Sequence, residues 1–410
     1  MSRFLFRIFM NAQTSNTGSV FGAILLISGC CIGAGMLGLP VMSALTGFKP
    51  SLVMFLLSWS FMMTTALLLL EVNLWFTDEV SIISMADRTL GLAGKAIGWL
   101  CFIFLFYALG VAYIAGSGEL ISAFVEGTLG ITLPYWVGSL FVCGLFGVFV
   151  YLGTYAVDHF NRLLMIGLAL SYLLLVIFGA PHVKLEYLKH QDWSLATMVL
   201  PVMIISFGFH NLIPSLTAYL NRDAKRLRTA IICGSALPLF VYLIWEWLIL
   251  GLVPVHSTEG FLQVIDEGSM ATEVLKNVVG ALWIADLAQY FAFFAILTSF
   301  LGNSLSFVDF LADGLRIPKN HLGKLFLCLI VIAPSFVLAL IYPRIFLLAL
   351  NYAGSFGAVV LFGVLPALMA WSGRYSKKIS TKPLVPGGRV VLATIILFAF
   401  WVMSMQIINI

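Results

Sequence analysis

Three glycines at positions 33, 35 and 38 form the sequence GAGMLG, which matches the pattern G-x-G-x-x-G. In dinucleotide-binding proteins this pattern follows a strand and opens a helix, and an acidic residue lies about 20 positions further on. Here the glycines lie within residues 19–45, a run of 27 residues without a charge, and the next acidic residue is Glu71. Such a run is typical of a membrane span. The glycines are therefore not predicted to bind a nucleotide, but they can expose a helix N-terminus to another anion.

Other residues that could perform catalysis or bind a metal are sparse. The six cysteines form no C-x-x-C pair, and the six histidines are scattered along the chain. The sequence contains no H-E-x-x-H, no G-x-S-x-G and no P-loop motif. We therefore predict no enzyme activity, no bound metal and no organic cofactor. The net charge of +4 over 410 residues gives no reason to expect nucleic acid as a partner.

The composition predicts an all-α protein that crosses the lipid bilayer many times. Hydrophobic residues make up 61% of the chain and charged residues 10%, and the mean hydropathy is +1.05, whereas a soluble domain has about 25% charged residues. We expect residues 1–18 to form a cytoplasmic arm, the loop 76–95 an interfacial helix and the loop 253–277 a short helix. Eleven apolar segments are predicted as spans: 19–45, 51–75, 96–124, 134–153, 161–180, 195–219, 229–252, 278–310, 325–342, 345–371 and 390–409.

The distribution of positive charge predicts the orientation of these spans. If the N-terminus is cytoplasmic, 17 of the 22 Lys and Arg residues lie in cytoplasmic segments and 5 lie in outer segments. An excess of Lys and Arg is typical of cytoplasmic loops. Because eleven is an odd number, we predict a cytoplasmic N-terminus and a periplasmic C-terminus.

Helix-breaking residues cluster in the first and sixth spans. The first contains SGCCIGAGMLGLP and the sixth contains PVMIISFGFHNLIPS. Irregular backbone is tolerated in a membrane only where it is buried in protein or lines a cavity. Spans five apart cross in opposite directions, so the paired breaks predict an inverted repeat with a binding site between its halves. The repeats would be residues 19–180 and 195–371, followed by an extra helix at 390–409; the alternative is that the glycines only allow close helix packing.

Three segments resemble a known family. GAGMLGLP in span 1, SFGFHNLIPS in span 6 and LTSFLGNSLSFVDFLADGL in span 8 resemble the hydroxy/aromatic amino acid permeases, most of all the bacterial tyrosine- and tryptophan-specific ones. The resemblance covers nearly the whole chain and implies the amino acid–polyamine–cation superfamily, with a LeuT-type fold whose helices 1 and 6 are broken. It further implies a monomer in the bacterial inner membrane that imports an aromatic amino acid, with tyrosine favoured over tryptophan, by cation symport and alternating access.

The resemblance also implies where the substrate binds. The carboxylate would face the backbone N–H groups after the first break, and the ammonium group would face carbonyls that end the two half-helices. The ring needs an apolar or aromatic pocket, which Phe207, Phe209 and Tyr113 could supply. The predicted substrate-binding residues are Cys31, Gly33, Ala34, Gly35, Tyr113, Met203, Ile204, Ser206, Phe207, Gly208 and Phe209.

A coupling cation would bind between the first break and span 8. Carbonyls and hydroxyls there would suit Na⁺, but the family resembles proton symporters more than sodium symporters, so we favour H⁺. His210 has a side chain that titrates near neutral pH when unperturbed, and Glu119 is an intramembrane carboxylate, as are Glu246 and Asp286 toward the outer ends of their spans. The predicted coupling residues are Gly29, Ile32, Ala295, Thr298, Ser299, His210 and Glu119.

Other functions are compatible with the same sequence. A sodium-coupled carrier of another neutral amino acid would have the same spans and breaks. A sensor without transport activity, or a channel, could use the same fold, although no added regulatory domain supports a sensor. Uptake of labelled amino acids distinguishes these alternatives.

Overall fold

The structure is a computed structural model that describes residues 18–408 except 79, 255–260, 262–281, 343–344 and 380–382. These residues form α-helices with short 3₁₀ and π-helical segments, and the described part of the chain contains no strand. Ten helices are long and apolar enough to cross a membrane, or eleven when one bent pair of helices is taken as a single span. The prediction of an all-α, polytopic membrane protein is confirmed.

Fifteen α-helices are described, and every predicted span corresponds to one helix or to one series of shorter helices. The helices at the start of the chain, up to the predicted fifth span, are α1 (Val20–Cys31), α2 (Gly35–Thr46), α3 (Phe48–Leu74), α4 (Ile82–Leu90), α5 (Leu92–Leu129), α6 (Tyr135–Leu152) and α7 (Thr154–Gly179). The remaining helices are α8 (Leu200–Ser206), α9 (Ile213–Tyr219), α10 (Ala224–Leu252), α11 (Leu282–Leu315), α12 (His321–Ile341), α13 (Phe346–Tyr352), α14 (Leu365–Trp371) and α15 (Gly388–Ile408).

The first span consists of α1 and α2, whose axes differ by 59°. Ser19 caps α1, because its hydroxyl oxygen accepts a hydrogen bond from the Gly22 N–H at 2.9 Å. α1 ends at Cys31, and the next residue, Ile32, has extended backbone with φ −75° and ψ 101°. α2 starts again at Gly35, so three residues without regular helical structure lie in the middle of an otherwise apolar span.

The sixth span, Ala196–Tyr219, is also assembled from short helices. α8 ends at Ser206 and α9 starts at Ile213, with a 3₁₀ turn at His210–Leu212 between them. The N–H of Phe207 bonds to Ile204 O at 3.1 Å and that of Gly208 bonds to Ile205 O at 2.9 Å, which tightens the end of α8. The span therefore changes its hydrogen-bonding pattern where the sequence places Gly208 and its aromatic neighbours.

Packing places the predicted tenth span at the centre of the bundle and the eleventh at its edge. Of the most apolar stretch of Phe346–Ser376, 83% is buried, compared with 22% for Gly388–Ile408. Part of the central span, Ala353–Val364, is π-helical, a form that is rare and is often found at functional sites. α10 packs on α1, α2 and α3, and α11 packs on α5 and α7. The two interrupted spans thus have continuous helices on several sides.

The loop between α3 and α5 contains α4, so the helix predicted within residues 76–95 is confirmed. Ser81 caps α4 through the Ser84 N–H at 3.2 Å. Arg88 forms two hydrogen bonds to the carboxylate of Asp78, at 2.8 and 2.5 Å. This side-chain hydrogen bond holds the pKa of Asp78 below its ordinary value of 3.8. The predicted N-terminal arm and short helix in 253–277 lie almost entirely outside the described residues.

A buried ion pair joins α3 to the end of the central span. The Arg374 guanidinium donates to both carboxylate oxygens of Glu71, from Nε at 2.8 Å and from Nη2 at 2.7 Å. Only 7% of the Arg374 side chain and 2% of the Glu71 side chain are exposed. The Leu384 N–H also donates to Glu71 at 2.7 Å, and Arg374 donates to Val385 O at 3.2 Å. The pair therefore ties the segment before α15 to the bundle.

Candidate functional site

The two helix breaks meet inside the bundle, and a residue of α10 connects them. α1 and α8 both end here, so each leaves carbonyl groups without an intrahelical donor. The hydroxyl of Tyr242 lies 2.6 Å from Cys31 O and 2.8 Å from Ser206 O. Tyr242 is fully buried. Cys31 and Ser206 belonged to the predicted substrate site, but sequence reasoning did not include Tyr242.

The N-terminal side of α2 faces α11. The Ala34 N–H donates to the hydroxyl of Ser299 at 2.9 Å, so an amide predicted to bind a carboxylate has a side-chain partner in this conformation. A Cβ atom added to Gly33 would lie 2.4 Å from Ser299 Oγ and 3.9 Å from Ala295 O. A glycine is needed at position 33 for this close approach. The structure thus brings Gly33 and Ala34 together with two of the predicted coupling residues.

The first break also touches the second. A Cβ atom on Gly35 would lie 2.8 Å from Ser206 Oγ. The Ser206 hydroxyl donates to Val202 O at 2.8 Å, and its oxygen lies close to Gly35 at the first break. On the other side, the Cys30 thiol contacts Gly208 O at 3.7 Å. The predicted residues of spans 1 and 6 therefore lie in one small region.

Aromatic side chains surround this region. Phe207 packs edge-on against Tyr242, with ring centroids 5.2 Å apart, and both rings are fully buried. Phe209 is also fully buried and lies beside His210, at a centroid distance of 5.3 Å. Tyr113 of α5 is almost completely buried. The aromatic residues predicted for the substrate ring are therefore internal rather than lipid-facing. Met203 and Ile204 in α8 are likewise fully buried.

His210 is enclosed in the second break. Its Nε2 atom lies 2.9 Å from Thr65 Oγ1 of α3, and its ring stacks on Phe362 with a centroid distance of 4.7 Å and an interplanar angle of 10°. Its Nδ1 atom has no hydrogen-bond partner among the described residues. Because the side chain is fully buried, the neutral ring is the form that this environment favours.

The remaining coupling residues are less closely grouped. The Thr298 hydroxyl donates within its own helix, to Phe294 O and Ala295 O at 2.9 and 3.0 Å. Gly29 faces α7, where an added Cβ atom would meet Met165 Cε at 3.4 Å. Ile32 is the extended residue after α1, and Glu119 lies on α5. The candidate cation region is therefore best defined around Gly33, Ala34 and Ser299.

The predicted seventh span supplies three residues that sequence reasoning did not assign to the substrate site. Tyr242 contacts the end of α1, and the Trp245 indole N–H donates to Met36 O of α2 at 2.9 Å. Glu246 is fully buried, although its position had suggested a place near the outer surface. The spacing of these residues, i, i+3 and i+4, puts them on one helix face. That periodicity within VYLIWEWLIL is the signal that could have revealed them.

Comparison with known proteins identifies the chain. A sequence model of the tryptophan/tyrosine permease family matches residues 16–406. The chain belongs to this family. The match covers both breaks and every helix described above except the last two residues of α15. It places this permease outside the enzyme classes, in agreement with the prediction.

Relatives of this permease in bacteria are similar over most of their length. Tyrosine-specific transport system 1 of Haemophilus influenzae is 34% identical over 359 residues, which are 86% of this chain and 88% of the relative. The tryptophan-specific transport protein of the same organism is 32% identical over 395 residues, 93% of each chain. The low affinity tryptophan permease of Escherichia coli is 29% identical over 411 residues, 96% of each chain.

Proposed function

We propose that this permease is a secondary transporter that imports an aromatic amino acid across the bacterial inner membrane by symport with a cation, with tyrosine as the first candidate and tryptophan as the second. The observation that carries the proposal is the meeting of two interrupted spans at buried aromatic side chains. The relatives named above include tyrosine-specific and tryptophan-specific transport proteins, which supports an aromatic substrate.

The chemistry of an amino acid fits the polar groups at the two breaks. A carboxylate is attracted to the start of α2, where the helix dipole is positive, and an ammonium group to the carbonyls that end α1 and α8. Binding would require the Ser299 hydroxyl to leave the Ala34 N–H, or to bind the carboxylate together with it. The ammonium group would compete with the Tyr242 hydroxyl for Cys31 O and Ser206 O. Phe207, whose ring already packs on Tyr242, would border the ring of the substrate.

A LeuT-type arrangement accounts for the way the interrupted spans are connected. In that arrangement, residues 19–180 and 195–371 are inverted repeats, and 390–409 is an added helix. The start of the first span is bonded to the end of the sixth, because the Gly18 N–H donates to Tyr219 O at 3.0 Å. Arg226, in the first turn of α10, donates to Gly18 O. Contact between these two ends would close one side of the bundle, as alternating access requires. With the N-terminus in the cytoplasm, the closed side would be the cytoplasmic one.

We further propose H⁺ as the coupling ion, in a protein that works as a monomer. The buried titratable residues His210 and Glu246, together with the half-buried Glu119, favour H⁺. The hydroxyls of Thr298 and Ser299 near the first break would favour Na⁺ as the alternative. No cofactor besides the coupling ion is needed for this function.

Uptake by purified protein in liposomes tests the proposal. Labelled tyrosine, tryptophan and phenylalanine would be supplied under an inward proton gradient, and then under a sodium gradient at constant pH. We expect accumulation of at least one of them with the proton gradient. Absence of uptake and of exchange for every amino acid under both gradients would refute the transport function, and accumulation driven by sodium alone would refute proton coupling.

A competition series then identifies the substrate. Unlabelled amino acids with aromatic, aliphatic and polar side chains would be added in excess to the uptake of the best substrate. We expect strong competition only from aromatic side chains, because the residues around the breaks are aromatic. Equal competition by leucine or serine would contradict the aromatic preference.

A further inference from the structure

Glu246 is a carboxylic acid inside the bundle, and no positively charged side chain among the described residues forms an ion pair with it. The residue is fully buried in α10, and neither carboxyl oxygen has a partner with hydrogen-bond geometry among the described residues. Its polar neighbour is Ser43 of α2, whose hydroxyl is also fully buried and has no hydrogen-bond partner there. Two buried polar groups thus face each other across the contact between α10 and α2.

The protonated form of Glu246 suits this position. An ionised carboxylate buried without a cation loses its hydration and gains nothing in return. A protonated carboxyl has an O–H group to donate, and the Ser43 oxygen is available as an acceptor after a small rotation. Ionisation would become favourable when α10 and α2 separate enough to admit water. The protonation state is therefore linked to the packing of these two helices.

The other titratable groups around α10 do not replace a counter-ion. α2 has no titratable residue. Lys49 on α3 and the segment with His182 and Lys189 lie near the outer end of α10, where the Lys184 N–H donates to Gly251 O at 2.8 Å. The Tyr172 hydroxyl of α7 donates to Val241 O at 2.9 Å, and the Cys31 backbone faces Tyr242. Glu71 and residues 155–162 lie at the opposite ends of α3 and α7.

The same face of α10 holds the broken span. Tyr242 lies one turn before Glu246 and donates to the end of α1, while Trp245 donates to Met36 O in the first turn of α2. A displacement of α2 relative to α10 would therefore change the environment of Glu246 and the bonding at the break together.

We propose that the carboxyl group of Glu246 is the site where the coupling proton binds, and that Tyr242 and Trp245 link its occupancy to the first break. A proton from the outer solution would convert the carboxylate to the acid, whose O–H donates to Ser43. Release to the cytoplasmic solution would regenerate the carboxylate after the helices move. This inference rests on the proposed function and adds the identity of the coupling group.

Two assays, proton-driven accumulation and substrate exchange, distinguish a failure of the proton site at Glu246 from a failure of the transport function. Wild type, Glu246→Gln and Glu246→Asp would be reconstituted in liposomes with the membrane potential clamped at zero and an inward gradient of about one pH unit. For one proton per substrate, such a gradient supports about tenfold accumulation. We expect wild type to approach this ratio and Glu246→Gln to reach a ratio of about 1, because Gln cannot release a proton. Exchange of internal for external substrate needs no net proton movement, and we expect it to persist in Glu246→Gln and to lose its pH dependence.

A control and a conservative variant keep the test decisive. Glu126→Gln removes an exposed carboxyl from α5, and we expect wild-type accumulation. Accumulation by Glu246→Gln at the wild-type ratio would overturn the proton site while leaving the transport function intact. Absence of both accumulation and exchange in wild type would overturn the transport function itself. If Glu246→Gln does not fold, Glu246→Asp decides: we expect coupled accumulation with a displaced pH profile, and a profile identical to that of wild type would refute the proposal.

Discussion

Replacing Glu71 by Gln removes the negative charge that Arg374 faces inside the bundle. The two side chains are 2% and 7% exposed and share two hydrogen bonds of 2.8 and 2.7 Å. Glu71 also accepts the Leu384 N–H at 2.7 Å. The substitution keeps the size of the side chain but leaves a guanidinium in low dielectric without a counter-ion.

The expected loss of stability follows from that burial. Removing one partner of a buried ion pair destabilises a protein by about 3–5 kcal/mol, because the remaining charge cannot recover its hydration. Arg374→Met should have a comparable effect by leaving the carboxylate alone. The double variant has no charge to leave unpaired. We therefore expect its free energy of unfolding to be no lower than that of the less stable single variant. The coupling energy of the cycle should then be at least about 3 kcal/mol, the size of the smaller single effect.

Unfolding of the purified protein by sodium dodecyl sulfate in mixed micelles measures these differences. Far-UV circular dichroism would follow the loss of helix, and the free energies would be compared for wild type, both single variants and the double variant. Asp158→Asn serves as a control, since the Asp158–Arg162 pair at 2.8 Å is largely exposed and such pairs contribute about 0–1 kcal/mol. Additive effects in the cycle, or a Glu71→Gln effect no larger than the control, would refute the reasoning.

Two further predictions concern the first break. Gly33→Ala would place a Cβ atom 2.4 Å from Ser299 Oγ, so we expect substrate affinity to fall at least about tenfold, as a loss of 1.4 kcal/mol would produce. The control is Gly302→Ala, on the helix that carries Ser299, where the added Cβ atom meets nothing within 4 Å. This variant should bind substrate normally in the same titration. Cys30 is exposed beside the break, so substrate should slow its alkylation in a variant that keeps Cys30 as its single cysteine. In a second variant that keeps only Cys233, which is also exposed, substrate should not change the alkylation rate. Equal protection of both cysteines would indicate a global change rather than occupancy of the site.

The spans and the two breaks could be predicted because their causes are local in sequence. Long apolar runs indicate helices in a membrane, and the helical structure is interrupted at the glycine-rich segment around Gly33 and again around Gly208. Helix α4 follows from the same kind of local pattern. Most helix boundaries in the described residues therefore lie within five positions of those predicted, and the largest difference is at α7, which starts at Thr154 instead of the predicted 161.

The residues that complete the site could not be predicted in this way, because they depend on contacts between distant spans. Tyr242 and Cys31 are 211 residues apart, and Glu71 and Arg374 are 303 residues apart. Which faces of two helices meet is decided by the packing of the whole bundle, and each of these polar residues lies in an ordinary apolar context. Glu246 shows the same limit: its place along α10 suggested exposure, but α2 covers it.

Tyr242 has a consequence for substrate binding that follows from its single donor hydrogen. A phenol has one hydrogen to donate, yet two carbonyl oxygens approach it at 2.6 and 2.8 Å. The hydroxyl can therefore donate to Cys31 O or to Ser206 O, but not fully to both. Rotation of the O–H bond only changes which of the two carbonyl groups receives the hydrogen bond. An ammonium group brings three hydrogens and could satisfy both ends at once. The ends of α1 and α8 thus present more acceptors than the Tyr242 hydroxyl can satisfy, at the point where the ammonium group of an amino acid would bind.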